Sequence, residues 1–388
     1  MECKIRVLTF RQSATLIAGI ILGMLVSSGI LRYFPFRSMS LYSSGARNPQ
    51  DVLMRAARVN CKLACDIARK YESDRVMKHL ACADLRPQSI PSRPVPAESV
   101  NIIYCTEFSQ FFSWYDWMQK IFLAGLLSDP EFRFSGTVLF RIADNSTILA
   151  ETGIALLNQG IPYLSHAHYI SPTAIDCSGQ NTTKTCIYQP DFHFIEHRGY
   201  QNMIKFLREN SMPLSHRRKV VYWRGSSTGN ANTCEDLCRV RMCKASEGIP
   251  WLDMKITNHV LLCHGKSYFL ANRTKEIDWI QYRGIIDIDG KVNAWGLFWR
   301  LGSGSVVFKV HSSYSNFYIS QLRPWVEYIP LADDLTDLIN QTKVILEDRA
   351  LVNLETITSN AYELTQRISY SSELIRVRSE LNKIQFEV

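Results

Sequence analysis

Residues 302–331 read GSGSVVFKVHSSYSNFYISQLRPWVEYIPL, and this stretch decides the fold. A turn of small residues, Gly302 to Ser305, leads into the apolar run Val306 to Val310, which predicts a buried β-strand. An aromatic segment follows, and then Leu322-Arg323-Pro324-Trp325 precedes Tyr328-Ile329-Pro330. Because a turn of small residues lets backbone N–H groups approach a phosphate, the stretch indicates one side of a site for a phosphorylated ligand.

A second turn of this kind stands about eighty residues upstream. The sequence Tyr222-Trp223-Arg224-Gly225-Ser226 follows an apolar strand predicted from Lys219 to Tyr222. Its arginine can add charge-assisted hydrogen bonds to the backbone donors of the turn. Two such turns on one chain favour a nucleotide-bearing ligand.

Predicted strands alternate with predicted helices along most of the chain, which is typical of parallel sheets in an α/β fold. Four of these strands cover residues 137–142, 219–222, 285–288 and 306–310. Ligands of parallel sheets gather at the carboxyl ends of the strands. The polar residues predicted at such ends are Asp144, Arg224, Asp289 with Gly290, and Lys309.

The chain has 388 residues, a length that suits two domains. We predict a GT-B-like architecture of two Rossmann-like domains that face a cleft, at residues 51–205 and 206–345. Residues 346–388 form a C-terminal helical segment in this prediction. Within these regions, helices are predicted over residues 333–346 and 356–387.

The net charge of +8 is moderate, and the basic residues are scattered. The tightest basic cluster, His216 to Lys219, is typical of a solvated entry to a strand. Nucleic-acid binding would need a basic stripe interleaved with stacking aromatic residues, and the sequence has none, so we expect no nucleic-acid partner.

Residues 14–31 carry no charge over 18 positions, which predicts a transmembrane helix at the short end of the usual range. Basic residues before it predict a cytosolic tail at residues 1–13 and a stem at 32–50, with the rest of the chain across the membrane. The alternative is a cleaved signal peptide with a small-residue site at Ser27-Ser28-Gly29. The expected topology is single-pass type II, with the catalytic domain in the lumen of the Golgi or endoplasmic reticulum. The terminal QFEV lacks a KDEL-like signal, which favours the Golgi.

The chain has 11 cysteines, and ten remain for the lumen if Cys3 is cytosolic. An even number in an oxidising compartment predicts disulfides, and Cys177 with Cys186 is the best local pair. The other cysteines form two groups: Cys61, Cys65, Cys82 and Cys105, and then Cys234, Cys238, Cys243 and Cys263. The second group stands near His264 but lacks the paired CxxC spacing of zinc sites, so no metal is predicted. Sequons that fit a secretory glycoprotein occur at Asn145, Asn181, Asn272 and Asn340.

Taken in order, six blocks between residues 137 and 346 resemble glycosyltransferase family 90, the capsule-associated and Rumi-like O-glucosyl- and O-xylosyltransferases. The blocks are the strand that ends at Asp144, the segment Pro190 to Glu196, YWRGSSTG at 222–229, Tyr282 to Gly290, GSGSVVFKV at 302–310, and LRPWVEYIPL at 322–331.

The resemblance implies an inverting enzyme that uses UDP-glucose or UDP-xylose and needs neither metal nor cofactor. The family's base is an Asp after a strand of the first domain, which corresponds to Asp144 here. It would deprotonate the acceptor hydroxyl during in-line attack. The residues that the resemblance assigns to the leaving diphosphate are Arg224, Gly225 and Ser226, with further donors from Ser303, Gly304 and Ser305. Asp289 could meet a donor hydroxyl or simply hold a turn with Gly290. The acceptor is expected to be a protein or a glycan.

The chain departs from the family pattern at several positions. Many members carry an arginine where this chain has Gly296, and we suggest that Arg300, one helical turn later, supplies that charge. Asn316 replaces a frequent acidic residue. A glycan on Asn145 would crowd a base at Asp144, so Asn145 is expected to be unmodified. These departures leave open the alternative of a catalytically inactive relative that binds glycans or UDP-sugars. A structural, disulfide-rich membrane protein is a further alternative.

Overall fold

The structure is a computed structural model that describes residues 60–87, 94–106, 113–143, 147–171, 173–178 and 184–384. All of them belong to one compact unit, residues 50–388. The predicted tail, the predicted membrane anchor and the stem lie outside the described residues. Within those residues, no helix has the length and apolar character needed to cross a bilayer.

The elements follow one another in α/β alternation, which confirms the predicted class. The strands are β1 Leu80–Leu85, β2 Ile103–Tyr104, β3 Gly136–Arg141, β4 Tyr163–Ser165, β5 His168–Tyr169, β6 Ile187–Tyr188, β7 Arg218–Ser226, β8 Leu252–Asn258, β9 Tyr282–Asp287, β10 Val306–Val310, β11 Tyr314–Ser315 and β12 Ile329–Leu331. The α-helices are α1 at residues 60–69, α2 Asp74–Met77, α3 Ser113–Leu127, α4 Ala150–Leu157, α5 Phe192–Glu196, α6 Gln201–Glu209, α7 Cys238–Ala245, α8 Glu276–Trp279, α9 Leu297–Gly302, α10 Leu338–Thr342, α11 Leu351–Arg367 and α12 Tyr370–Ile384.

The first sheet has the order β2-β1-β3-β4-β6 and is mixed rather than wholly parallel. Strands β3, β4 and β6 run parallel, while β1 pairs antiparallel with both β2 and β3. Strand β1 reads LACADL and contains no β-branched residue, so residue propensity did not reveal it. Full pairing with the apolar β3 nevertheless places it inside the sheet.

The second sheet has the order β8-β7-β9-β10-β12, and all of its pairings are parallel. Numbered along the chain, this is the doubly wound order 2-1-3-4-5. Such a sheet has a topological switch point between its first and third strands, here β7 and β9, and ligands bind outside the carboxyl ends of the strands there.

The described residues contain four disulfides: Cys61–Cys82, Cys65–Cys105, Cys177–Cys186 and Cys234–Cys263. The predicted pair Cys177–Cys186 is therefore present. Within the second predicted group, Cys234 and Cys263 pair, whereas Cys238 and Cys243 are free thiols. Both lie on α7, five residues apart, so their Cα atoms are more than about 7 Å apart and their side chains diverge.

The last two helices join the two sheets. We call the part of the chain that forms the first sheet the first half, and the part that forms the second sheet the second half. Helix α11 packs against α9 and β10 of the second half, whereas α12 packs against α3 and β6 of the first half. The helix predicted as one over residues 356–387 is thus two, separated at residues 368–369. The helix predicted from residue 333 begins only at Leu338, because Asp337 accepts a hydrogen bond from the backbone N–H of Ala332 and closes a turn. The predicted domain boundaries, including the one between residues 205 and 206 inside α6, stay predictions.

Candidate functional site

A cleft of about 1290 Å³ lies where residues of the first and second halves face each other. From the second half it is lined by the loops after β7, β9 and β10, as the strand-end rule predicts. The lining residues of these loops are Gly229, Asn230, Ile288, Asp289, Gly290, Lys291, His311, Ser313 and Tyr314. From the first half the lining includes Glu72, Arg75, His79, Arg141, Ala143, Thr147 and Tyr169. The cleft therefore joins the switch point of the second sheet to the end of β3.

One half-buried arginine holds the two loops of the switch point together. Arg239 on α7 donates to the carbonyls of Ser226, Ile288 and Asp289, and to the hydroxyl of Thr228. Burial, followed by the charge of Arg300, lowers its pKa to about 10. Sequence reasoning missed Arg239, because it lies on a helix about thirteen residues beyond the turn that it supports.

Asp289 is the carboxylate at the end of β9 that lines the cleft. Its Oδ2 accepts a hydrogen bond from Ser312, and its Oδ1 is buried without a hydrogen-bond partner. Burial raises the pKa of Asp289, while the nearby Lys309 ammonium opposes the rise. Neighbouring Gly290 is packed so closely that a Cβ would lie 2.8 Å from Thr228 Oγ1. The structure thus places this predicted pair in the cleft.

The side of the cleft near β3 carries several positive charges. Burial, and then the charges of Arg141, Arg75, Lys78 and Lys291, lower the pKa of His79. Lys291 is exposed after β9 and belongs to the opposite half, so cations from both halves face the same space. Arg141 is the last residue of β3 and the next-to-last residue of the predicted strand TVLFRI, so the strand-end rule could have identified it.

Arg224 does not line the cleft. Strand β7 extends to Ser226, so Arg224 lies within the strand and not in the turn after it. Its guanidinium pairs with Asp253 at 2.9 Å and lies 4.3 Å from the centroid of the Tyr222 ring. Gly225 is required by packing, since a Cβ there would lie 2.5 Å from the Trp223 ring. Of the three residues, only Ser226 reaches the switch point, where its carbonyl accepts a bond from Arg239.

Residues 303–305 precede β10 and therefore lie at the amino end of the second sheet, away from the cleft. Gly304 has φ +78, and a Cβ there would lie 2.3 Å from Arg208 Nη1 and 3.0 Å from Arg217 Nη2. Ser305 accepts a hydrogen bond from Arg217 at 2.7 Å. Ser303 is fully buried and donates to the carbonyl of Arg300. The turn caps the strand, and the structure does not bring it together with Asp289.

Arg300 forms a buried ion pair at 2.6 Å with Asp287, the last residue of β9. A Cβ on Gly296 would lie 3.0 Å from Arg300 Nη2, so the guanidinium occupies the space that a larger side chain at 296 would enter. Arg300 is not among the residues that line the cleft. Lys309 is likewise buried in the sheet, 4.0 Å from the second oxygen of Asp287.

The predicted base, Asp144, lies outside the described residues, as do Asn145 and Asn181. Residues on both sides of that position, Ala143 and Thr147, line the cleft. Asn316 is buried, and its side-chain oxygen accepts bonds from the backbone N–H groups of Tyr318 and Ile319.

The other two sequons, Asn272 and Asn340, are exposed. They are therefore accessible to a glycan.

Comparison with known proteins places these features in a family. The aligned region is 34% identical over 122 residues to "Protein O-glucosyltransferase 2" of Danio rerio, covering 31% of this chain and 23% of that protein. A separate alignment, with "Protein O-glucosyltransferase 3" of Rattus norvegicus, is 28% identical over 85 residues and covers 20% of this chain and 17% of that protein. The matched part thus spans less than a quarter of either relative. Residues 175–364, which contain the whole second sheet, match the sequence profile described as "Glycosyl transferase family 90", and this region of the chain accordingly belongs to glycosyltransferase family 90.

Proposed function

We propose that the protein is an inverting, metal-independent O-glycosyltransferase. It moves glucose or xylose from a UDP-sugar to a hydroxyl of a protein or glycan in the secretory pathway. The observation that carries the proposal is the cleft itself, which joins the switch point of a doubly wound sheet to the end of β3. The family match and the relatives named as protein O-glucosyltransferases support the reaction class.

In this proposal the uridine diphosphate lies at the switch point, against the loops that follow β7 and β9. Lys291 and Gly229 line the cleft wall at that position. The backbone N–H of Gly229 is the proposed donor, since that of Gly290 already donates to the carbonyl of Val292. Positive charge and fixed backbone donors stabilise the negative charge that develops on a leaving diphosphate. Arg239 keeps both loops in place without entering the cleft lining itself.

The acceptor hydroxyl enters from the side of β3. Asp144 takes its proton while the acceptor oxygen bonds to the anomeric carbon, and the bond from that carbon to the diphosphate oxygen breaks. UDP leaves from the opposite face of the sugar, and the configuration inverts. The anomeric carbon keeps its bond to the ring oxygen and exchanges the diphosphate oxygen for the acceptor oxygen. Its oxidation state is unchanged, so no oxidant or reductant is needed.

The donor is tested by measuring UDP release with UDP-glucose, UDP-xylose, UDP-galactose and UDP-glucuronate, each with and without EDTA. We expect release with glucose or xylose and no loss in EDTA. A strict requirement for a divalent ion would contradict the mechanism.

The site is tested with Asp144→Asn and Lys291→Glu. We expect Asp144→Asn to abolish transfer but retain UDP binding, and Lys291→Glu to weaken UDP binding by about tenfold or more, since the charge is reversed at the cleft wall. Lys383→Glu makes the same charge change at an exposed position outside the cleft lining and is the control. Equal transfer by Asp144→Asn and the parent protein would eliminate Asp144 as the base.

The second candidate is an inactive relative that binds UDP-sugars or glycans. The position of Arg300 favours it, because the guanidinium is paired with Asp287 and not directed into the cleft. UDP binding without turnover of any donor, across a panel of acceptors, would support this candidate over the enzyme.

A further inference from the structure

His193, Glu196 and His197 form a cluster of metal-binding side chains outside the cleft lining. His193 Nδ1 lies 3.2 Å from Glu196 Oε2, and His197 Nε2 lies 4.0 Å from the same oxygen. One potential ligand atom from each residue lies within 4.8 Å of the other two. Two atoms bound to one zinc ion at about 2.0–2.1 Å in tetrahedral geometry are about 3.3 Å apart, so the first of these separations already fits.

The spacing follows from the helix. The three residues stand at i, i+3 and i+4 on α5 and its C-terminal cap, so their side chains share one face. Asp191 fixes the start of this short helix by accepting a hydrogen bond at 2.9 Å from the backbone N–H of Phe194. The backbone that carries the cluster is therefore anchored in the buried core, while the cluster faces solvent.

Two tryptophans border the cluster. The indole N–H of Trp114 donates to Glu196 Oε1, which orients the carboxylate so that Oε2 points toward both histidines. The ring of His193 lies 5.1 Å from Trp114 and 4.6 Å from Trp295, centroid to centroid. Hydrogen bonds of this kind, which hold a ligand from behind, are typical of metal sites.

We propose that His193, Glu196 and His197 bind one divalent ion of the zinc class, with water completing the coordination. Two imidazoles and one carboxylate are a donor set that suits zinc and its first-row neighbours. Trp114 lies on the first half of the chain and Trp295 on the second, so a bound ion would stiffen the contact between the halves. The proposal concerns a structural ion away from the cleft and does not depend on the reaction.

The test measures zinc binding to the purified full chain, without a histidine tag, by equilibrium dialysis. We expect about one bound zinc ion per chain. His193→Gln, Glu196→Gln and His197→Gln should each weaken binding. Trp114→Phe, which removes the supporting hydrogen bond and keeps an aromatic ring, should weaken it by about 10-fold. His264→Gln, at an exposed histidine elsewhere, is the matched control. Circular dichroism checks that each variant folds.

A spectroscopic readout locates the ion. Cu²⁺ bound at the cluster should quench the fluorescence of Trp114 and Trp295, only two of the chain's eight tryptophans, so the loss is partial. Zinc should reverse the quenching by competing with copper. Trp295→Phe should reduce the amplitude of the quenching and leave the dissociation constant for copper near that of the parent protein.

Unchanged zinc binding in the folded His197→Gln variant, or no zinc bound at micromolar concentration, would refute the site. His197 is exposed, so this variant is the one least expected to disturb folding.

Discussion

Arg300 forms an ion pair with Asp287, so this residue has a structural role beside the role in donor binding suggested for it. Asp287 is almost fully buried, and Lys309 also lies near its carboxylate, at 4.0 Å. A buried carboxylate that loses its partner is strongly destabilised. The ion pair alone therefore accounts for an arginine at position 300, whether or not it also acts on a ligand.

We predict that Arg300→Ala lowers the free energy of unfolding by about 3–5 kcal/mol, because the buried Asp287 loses its close ion pair and keeps only more distant cations. Adding Asp287→Asn to that variant should recover much of the loss. Urea unfolding measures both effects. UDP affinity is then measured on the double variant, and weak binding there would support a direct role in donor binding, whereas normal binding would leave Arg300 a purely structural role.

Asp191 is a second buried acid, and its pKa makes stability depend on pH. Burial raises this pKa to about 7, although the backbone N–H groups of α5 oppose the rise. A carboxyl whose folded-state pKa is raised stabilises the fold below its ordinary pKa, near 4, and that stability is lost as pH rises toward 7.

Asp191→Asn keeps a side-chain acceptor at the start of α5 and removes the ionisation. We predict that the variant has a higher Tm than the parent at pH 8, by about 2–4 °C for each kcal/mol relieved, and that the difference shrinks toward pH 4. Thermal denaturation across this pH range measures it. A difference that grows as the pH falls would contradict the assigned sign.

Residue by residue, the sequence was most informative where a side chain follows directly after a strand. Asp289 and Gly290 were predicted for that reason and line the cleft. The prediction that Arg224 lies at a strand end is wrong, because β7 continues two residues past it. Polar residues such as Ser226 still belong to the strand, so the sequence does not mark where the strand ends. Arg239 was missed because its contacts come from tertiary packing, which has no local pattern.

At the scale of elements, two disulfides compensate for the weak intrinsic preferences of the first sheet. Cys61–Cys82 ties α1 to β1, and Cys65–Cys105 ties α1 to the residue after β2. Strand β1 has no β-branched residue and β2 is only two residues long, so neither would be expected to pair firmly alone. The two disulfides hold β1 and β2 in position beside α1.

We predict that Cys65→Ala/Cys105→Ala lowers the free energy of unfolding more than Cys177→Ala/Cys186→Ala. The first bond closes a loop with a sequence separation of 40 and the second one of 9. Loop-closure entropy alone gives about 4 kcal/mol for the longer loop and about 3 kcal/mol for the shorter. Denaturant unfolding of both variants without reductant measures the order, and a reversed order would show that packing around each bond dominates.

The second sheet was easier to predict from sequence than the first. Strands β9 and β10 are continuous buried runs, as is typical of parallel strands covered on both faces. Strand β10 was predicted at its observed bounds, and β9 was predicted three residues late at its start and one residue late at its end. The strand order could not be predicted, because it depends on which helix crosses which face. The antiparallel β1 and the break between α11 and α12 were missed for a similar reason, since long-range contacts decide them.

For the whole molecule, α12 is the element whose contacts reach farthest along the sequence, to residues near β3 and α3. Its Arg378 pairs with Asp129, and the side-chain oxygen of Asn382 accepts bonds from the backbone N–H groups of Arg133 and Phe134. Leu374 packs against Gly125 of α3, where a Cβ would lie 3.1 Å from its side chain. The last helix therefore completes the core of the first half.

We predict that Asn382→Ala lowers the free energy of unfolding by about 1–3 kcal/mol, because backbone groups at the end of the loop before β3 lose their partners. Lys383→Ala, at the exposed neighbouring position, should change it by less than about 0.5 kcal/mol. Urea denaturation distinguishes the two. Equal effects would indicate that α12 is held by its apolar face alone.

The position of α12 also sets the order of events during synthesis. Asp129 is made 249 residues before its partner Arg378, an interval of roughly 12–50 seconds at ordinary elongation rates. Until α12 has been synthesised, Leu374 is not there to pack against Gly125 of α3. The core of the first half is therefore incomplete during this interval.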